Sequence, residues 1–222
     1  MHEVAAARRI EVDPERIVKW VNGFAERHGE LTATSAKSSV ALSAADGATA
    51  VLEPFVPGSS IVTPGESALA GPDRLADWAA PPTRIGLILV RRGGYAVGMG
   101  QGPKLVAHKV GTRYVQSRTA AGGWSQQRFA RRRANQADGL VVSVIEHTMR
   151  TVLPSPCDAL VVGGDKALVR DVLADARLSR LAKLPRRELF DLPDPKLVVL
   201  ERALRRARAV RILLVEPQQP SG

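Results

Sequence analysis

Read for the spacing of its apolar positions, the chain changes period several times. Asp13-Pro14 supplies a cap and a first-turn proline, and Ile17, Trp20, Val21 and Phe24 recur at i, i+3, i+4 and i+7 before His28-Gly29 ends the run, which predicts a short amphipathic helix. From Leu31 to Phe55 the period drops to two, with Asp46-Gly47 a tight turn between strands over Ser39 to Ser43 and Thr49 to Glu53. Pro54 to Pro82 holds six prolines among Gly and Ser, with one short helix around Leu75 to Ala79; it reads as a linker or a loop wrapped over the surface. The expected organisation is a small N-terminal α/β module over residues 1–56 and a Pro/Gly-rich linker over 57–83.

A second series of elements starts at Arg84. Ile85 to Val90 is an unbroken apolar run suited to a central strand, Tyr95 to Met99 is its hairpin partner across Arg92-Gly93-Gly94, and Lys104 to Val110 followed by Thr112 to Val115 continues the meander. Ser125 can cap a long helix, because Phe129, Ala130, Ala134, Ala137, Val141, Val144, Ile145, Thr148 and Val152 form one apolar stripe. Ala159 to Val162 is another buried strand, ending in Gly163-Gly164, and Asp165 caps a helix with Leu168, Val169, Val172, Leu173 and Ala176 inward. Asp194-Pro195 opens a further helix with Val198, Val199 and Leu204 inward and Arg202, Arg205, Arg206 and Arg208 outward; Val210 to Val215 is the last strand. Strands first, then strands alternating with helices, predict a mixed sheet with helices packed on it, over residues 84–216, with a tail over 217–222.

Charge changes this picture more than composition does. Of the net +10, the stretch from Trp78 to Ala137 carries eleven Lys or Arg and no Asp or Glu, so the rest of the chain sums to about −1. A like-charged block repels itself, and a polyanionic partner is its simplest explanation. With nine aromatic residues in all and few in the basic stretch, a base-stacking single-strand binder is disfavoured, and backbone recognition of folded RNA fits better. No apolar run is long enough to span a bilayer and the N-terminus lacks a secretory pattern, so a soluble cytoplasmic monomer with no membrane partner is expected. One cysteine, Cys157, excludes an internal disulfide, and with no base beside it an inert thiol is expected.

Most familiar chemistries find no support. Gly93, Gly94, Gly98, Gly100 and Gly102 lack the ending and the strand-to-helix context of a nucleotide loop and read as hairpin glycines. Gly163-Gly164 does precede a helix, where backbone donors could hold an anion, but tight-turn packing is the better explanation. His2, His28, His108 and His147 are scattered and have no paired cysteines, so no metal and no cofactor is expected. Two-metal nuclease chemistry needs converging carboxylates, and Ile85 to Val90 carries none.

What remains is RTAAGGWSQQRFARRRANQ, from Arg118 to Gln136. Ala120 to Gly123 has only small residues and should be an exposed loop. Arg128, Arg131, Arg132 and Arg133 crowd the first turns of the following helix, where the helix dipole disfavours positive charge, so an outside anion should compensate them. Gln126 and Gln127 stand beside the loop. A glutamine amide is a poor general base, but it can orient a water or donate to an oxyanion at an acyl centre that something else holds. A loop with no large side chains could enter a narrow cavity of another particle while the arginines grip RNA nearby.

Gly122-Gly123-Trp124-Ser125-Gln126-Gln127-Arg128-Phe129-Ala130-Arg131 resembles the Gly-Gly-Gln-Ser-x-x-Arg-Phe-Ala-Arg segment of the eukaryotic and archaeal class 1 translation release factors, and Leu160 to Lys166 resembles a second segment of the same catalytic domain. The resemblance implies a ribonuclease H-like α/β domain that places its loop in the ribosomal peptidyl transferase centre. In an ungapped alignment Trp124 occupies the catalytic glutamine position, whereas the Gly-x-x-Gln motif of the Vms-type release-factor-like branch, associated with ribosome quality control, is met by Gly123-Trp124-Ser125-Gln126. The chain thus looks like a bacterial, actinobacterial-type member of that branch. By that resemblance Gln126, with Gly122 and Gly123, is presented to the ester of peptidyl-tRNA on the large ribosomal subunit, Gln127 is a reserve candidate, and Arg118, Arg128, Arg131, Arg132 and Arg133 contact ribosomal RNA or the tRNA. The rival expectation is a noncatalytic RNA-binding or rescue adaptor that uses Trp124 as a plug, and a weaker one is a nuclease that cuts tRNA.

Overall fold

The computed structural model describes residues 7–36, 38–56, 61–62, 69, 71–112 and 125–217, with side chains from 138 onward in the last of these. The chain divides into two compact units, Met1–Pro81 with Arg208–Gly222 and Pro82–Ala207.

In the first unit, strand β1 (Ala7–Val12) and a 3-10 turn (Pro14–Arg16) lead into helix α1 (Ile17–His28), followed by β2 (Leu31–Ser35), β3 (Val40–Ala44), β4 (Thr49–Glu53) and helix α2 (Pro72–Ala79). Together with β10 (Val210–Val215) the strands form an antiparallel sheet in the order β1-β10-β4-β3-β2. The period-two stretch becomes the β2 to β4 meander, its second turn made possible by Gly47 at φ +91°. Ile17, Val21 and Phe24 of α1 are buried with Leu42, Ala50 and Leu52 of the sheet, as the helical spacing requires.

Three features of this unit depart from the sequence reading. Strand β1 carries no sequence signal, because its alternation leaves no residue fully buried. The stretch over 57–83, read as a linker, contributes Ile61, Leu75, Trp78 and Ala79 to the core, and its helix begins at Pro72, where proline sits in the first turn. The last strand, assigned with residues 84–216, lies instead between β1 and β4 with Val210, Ile212 and Leu214 inward. An apolar alternation tells which side chains are buried; it does not tell in which sheet.

The second unit contains β5 (Arg84–Arg91), β6 (Gly94–Gln101), β7 (Lys104–Thr112), helix α3 (Ser125–Thr151), β8 (Ala159–Gly164), α4 (Lys166–Leu173), the single turn α5 (Ser179–Ala182), β9 (Arg186–Leu189) and α6 (Leu197–Arg208). The sheet order is β7-β6-β5-β8-β9, an antiparallel meander continued by two strands parallel to β5. This is the ribonuclease H-like mixed sheet the resemblance implied. Strand β9 is four residues with alternate ones exposed, too short and polar to be read in advance.

Alternation along β6 separates the two faces. Tyr95, Val97 and Met99 share a core with Leu140, Val144, Ile145 and Val152 of the α3 region, whereas a Cβ at Gly98 would lie 2.9 Å from Leu200 Cδ2 and one at Gly100 2.6 Å from Leu204 Cδ1. Gly98 and Gly100 are therefore mid-strand positions over which α6 packs, rather than hairpin glycines. On α6 the buried residues are Val199, Leu200, Ala203, Leu204 and Ala207, and Val198, expected inward, is 65% exposed: the inward stripe is centred one position further along than the spacing suggested.

The start of the second sheet is fixed by one ion pair. Arg84 Nη2 donates to Asp158 Oδ1 at 2.9 Å, Arg84 Nε donates to Asp158 Oδ2 at 3.2 Å, and the Arg84 amide donates to the same oxygen at 3.0 Å. The Arg84 guanidinium holds the Asp158 carboxyl below the usual carboxylate range. A depressed native pKa gives stability that is fully present above the unfolded carboxylate value of about 3.9 and is lost as pH falls through the native value. The thermal midpoints of wild type and Asp158→Asn should therefore differ at neutral pH and converge below about pH 4. An equal gap throughout the acid range would remove the pair from the stability of this sheet.

Candidate functional site

The site is organised by the start of α3, which is at Ser125, the residue the sequence predicts as its cap. Gln126, Gln127, Arg128, Arg131, Arg132 and Arg133 accordingly lie in the first three turns of the helix, and their side chains are outside the described residues. Arg118, Gly122, Gly123 and Trp124 lie wholly outside them. The further half of the stripe is as expected: Val144, Ile145, Thr148 and Val152 are buried, Leu140 joins them, and Val141 is half-buried. Thr148, the one polar member, donates its hydroxyl to the Val144 carbonyl at 2.7 Å.

Helix length shows why its start matters. Val152 packs over Gly86 near the beginning of β5, and Leu140, about 18 Å back along the helix, shares the core with Val90 near the end of that strand. Fifteen residues of α3 precede Leu140, about 22 Å more of helix, so α3 outruns β5. The four free amides of its first turn stand at that far end, together with Gln126 and Gln127.

The basic stretch is less uniform in space than in sequence. Arg84 is satisfied by Asp158, while Arg91 donates to the Leu192 carbonyl at 2.6 Å and lies 3.7 Å from Asp194. Both acids come from far along the chain, and no local signal announces them. Arg92, Lys104 and Lys109 have no ion pair among the described residues. Lys109 sits near His147 of α3, whose ring stacks on Tyr95 at 5.5 Å. Burial, with Lys109 and Arg150 adding to it and Glu146 opposing, pushes the His147 pKa down, which favours the neutral imidazole.

At the carboxyl ends of β5 and β8 an open cleft of about 370 Å³ is lined by Arg91, Arg92, Gly93, Gly164, Asp165 and Asp194. Asp165 already accepts from the Ala167 and Leu168 amides at the start of α4, so those donors are taken. Gly164 has φ +98°, and a Cβ there would collide with the Val90 carbonyl oxygen. A Cβ at Gly163 would meet the Leu189 carbonyl oxygen, so Gly164 serves close backbone approach of β8 to β5 and Gly163 its close approach to β9, the packing explanation of the pair. Cys157, raised by burial and donating to the Ala159 carbonyl at 3.1 Å, is a structural thiol. His28 contacts Asp46 Oδ2 through Nδ1 at 2.8 Å and Glu216 Oε2 through Nε2 at 3.4 Å, and it ties together elements of the first unit.

Residues 83–213 match the family model described as Actinobacteria/chloroflexi VLRF1 release factor. No curated protein matches the sequence. Among solved structures, the Vms1 mitochondrial localization core is similar at a TM-score of 0.45 and 11% identity, covering 89% of this chain and 79% of its own. The archaeal translation termination factor aRF1 is similar at 0.35 and 14%, covering 85% of this chain, which spans 61% of that factor's length.

Proposed function

Since the chain belongs to the VLRF1 release-factor family, we propose that it is a ribosome-associated peptidyl-tRNA hydrolase that cleaves the ester between nascent chain and tRNA on stalled or split large subunits. The observation that carries this reading is the placement of Gly123-Trp124-Ser125-Gln126 across the start of α3: the motif's glycine precedes the helix and its glutamine opens the first turn. Gly122 and Gly123, lacking side chains, permit close approach of the backbone to the ester. Gln126 orients the attacking water or donates to the developing oxyanion, and the ribosome or the terminal ribose of the tRNA supplies the rest of the catalysis. Arg118, Arg128, Arg131, Arg132 and Arg133 bind ribosomal RNA or the acceptor stem. The arginines' charge, disfavoured at a helix start, is compensated by phosphate once bound.

Soluble, cytoplasmic and monomeric action belongs to the same proposal, as does the absence of a cofactor. The test is release of labelled peptide from purified large subunits carrying peptidyl-tRNA. Time-dependent release with end-labelled tRNA recovered intact supports hydrolysis of the ester; cut tRNA would make the protein a nuclease instead. One observation favours a second reading, in which Trp124 at the ungapped glutamine position plugs the cavity and the protein is a noncatalytic adaptor. On that reading the subunits are bound and no peptide leaves.

A further inference from the structure

On the face of the second sheet opposite α3, helix α6 presents an outward stripe of Val198, Arg202 and Arg205 at i, i+4 and i+7, with Lys196 just ahead of it, all exposed. The arginines of this helix divide into two groups. Arg206 donates to Asp191 at 2.8 Å and Arg208 to Glu15 at 2.7 Å, so each has an acid of its own. The side chains of Lys196, Arg202 and Arg205 have no hydrogen bond or ion pair among the described residues, and Glu201, the carboxylate beside them, pairs with none of the three. Helix polarity does not account for them either. Cations favour the last turn, which Arg205, Arg206 and Arg208 occupy, but Arg202 precedes that turn and Lys196 lies ahead of the helix, where positive charge is disfavoured.

We infer that this stripe is a second contact for the phosphate backbone of structured RNA, separate from the loop and the start of α3. Three cations against one carboxylate, two of them guanidinium groups on the helix and the third the Lys196 ammonium just ahead of it, match a row of phosphate oxygens in charge and in hydrogen-bonding capacity. Arg202 and Arg205 stand about 4.5 Å apart along the axis, close enough for their side chains to bracket neighbouring phosphates of one strand. Because α6 and α3 flank the sheet on opposite faces, RNA held by α6 is a different segment from RNA held at the α3 start. The choice of ribosomal RNA as that segment rests on the proposed function; the existence of an RNA contact does not.

The experiment compares wild type with Arg202→Gln/Arg205→Gln in two salt titrations, one with purified large ribosomal subunits by pelleting and one with a fluorescent RNA hairpin by anisotropy. Loss of two phosphate contacts should flatten the slope of log K against log salt by about 1.5–2 in both, and the thermal midpoint should not move, since neither side chain has a partner among the described residues. An unchanged slope with both probes overturns the inference. A flattened slope on the hairpin together with failure of wild type to release peptide from the subunits would retain the α6 contact and defeat the hydrolase reading. Weakened subunit binding in Val198→Asp, with none in the double arginine variant, would place a protein partner here and overturn the RNA assignment.

Discussion

Gln126→Ala should slow peptide release from stalled large-subunit complexes by roughly a hundredfold or more while leaving binding little changed. The size follows from its assigned role: a single preorganised hydrogen bond to the transition state, in a cavity that excludes bulk water, is removed without touching the arginines that supply affinity. Gln127→Ala is the necessary companion, because the two amides are adjacent in the first turn of α3 and a shift of one residue at the helix start would exchange them. Release by Gln126→Ala at the wild-type rate, with Gln127→Ala impaired, would transfer the role to Gln127. Release unaffected in both would end the glutamine mechanism. Trp124→Ala discriminates the adaptor reading, which requires that substitution to abolish function while the glutamine variants remain active.

Apart from the short β9, the main elements of the second unit were readable because they are announced locally. Helix α3 begins at Ser125, where the polar-to-apolar change in the sequence puts it, Asp165 caps another helix by accepting two amides, and the apolar run of β5 is buried from Ile85 to Val90. What could not be read was every relation that depends on distant pairing. Arg84 and Arg91 belong to a stretch without acids, yet Asp158 and Asp194 answer them from 74 and 103 residues away. Gly98 and Gly100 looked like turn residues because their reason, the side chains of Leu200 and Leu204, lies a hundred positions on. The site divides the same way. Its motif and its helix start are legible in the sequence, whereas the stripe on α6 needed the structure to show which of its arginines already had acids.

The second large effect concerns the fold that holds the site. Gly164→Ala should destabilise the second unit by at least about 2 kcal/mol, since an L residue is strained at φ +98° and its Cβ would meet the Val90 carbonyl oxygen. That corresponds to a fall in thermal midpoint of roughly 4–8 °C, readable by circular dichroism. The neighbouring Asp165 amide donates to the same carbonyl at 2.8 Å, so any shift that relieves the collision also loosens the junction between β5 and the α4 cap. Added inorganic phosphate should leave both midpoints where they are. A variant as stable as wild type, or a wild type that phosphate stabilises while the variant is not, would show that the glycine pair serves an anion and not backbone packing.

The position of β10 inverts the order of manufacture and assembly. Its five- and six-residue pairings with β4 and β1 make it an interior strand of a sheet whose other members are translated before the whole second unit begins. The second unit is thus an insertion within the first, and the portion of the protein that emerges earliest waits for the portion that emerges late to supply its missing ladder. Until then β1 and β4 each expose an open edge, and a nascent chain interrupted between them and residue 210 would be left with that vacancy.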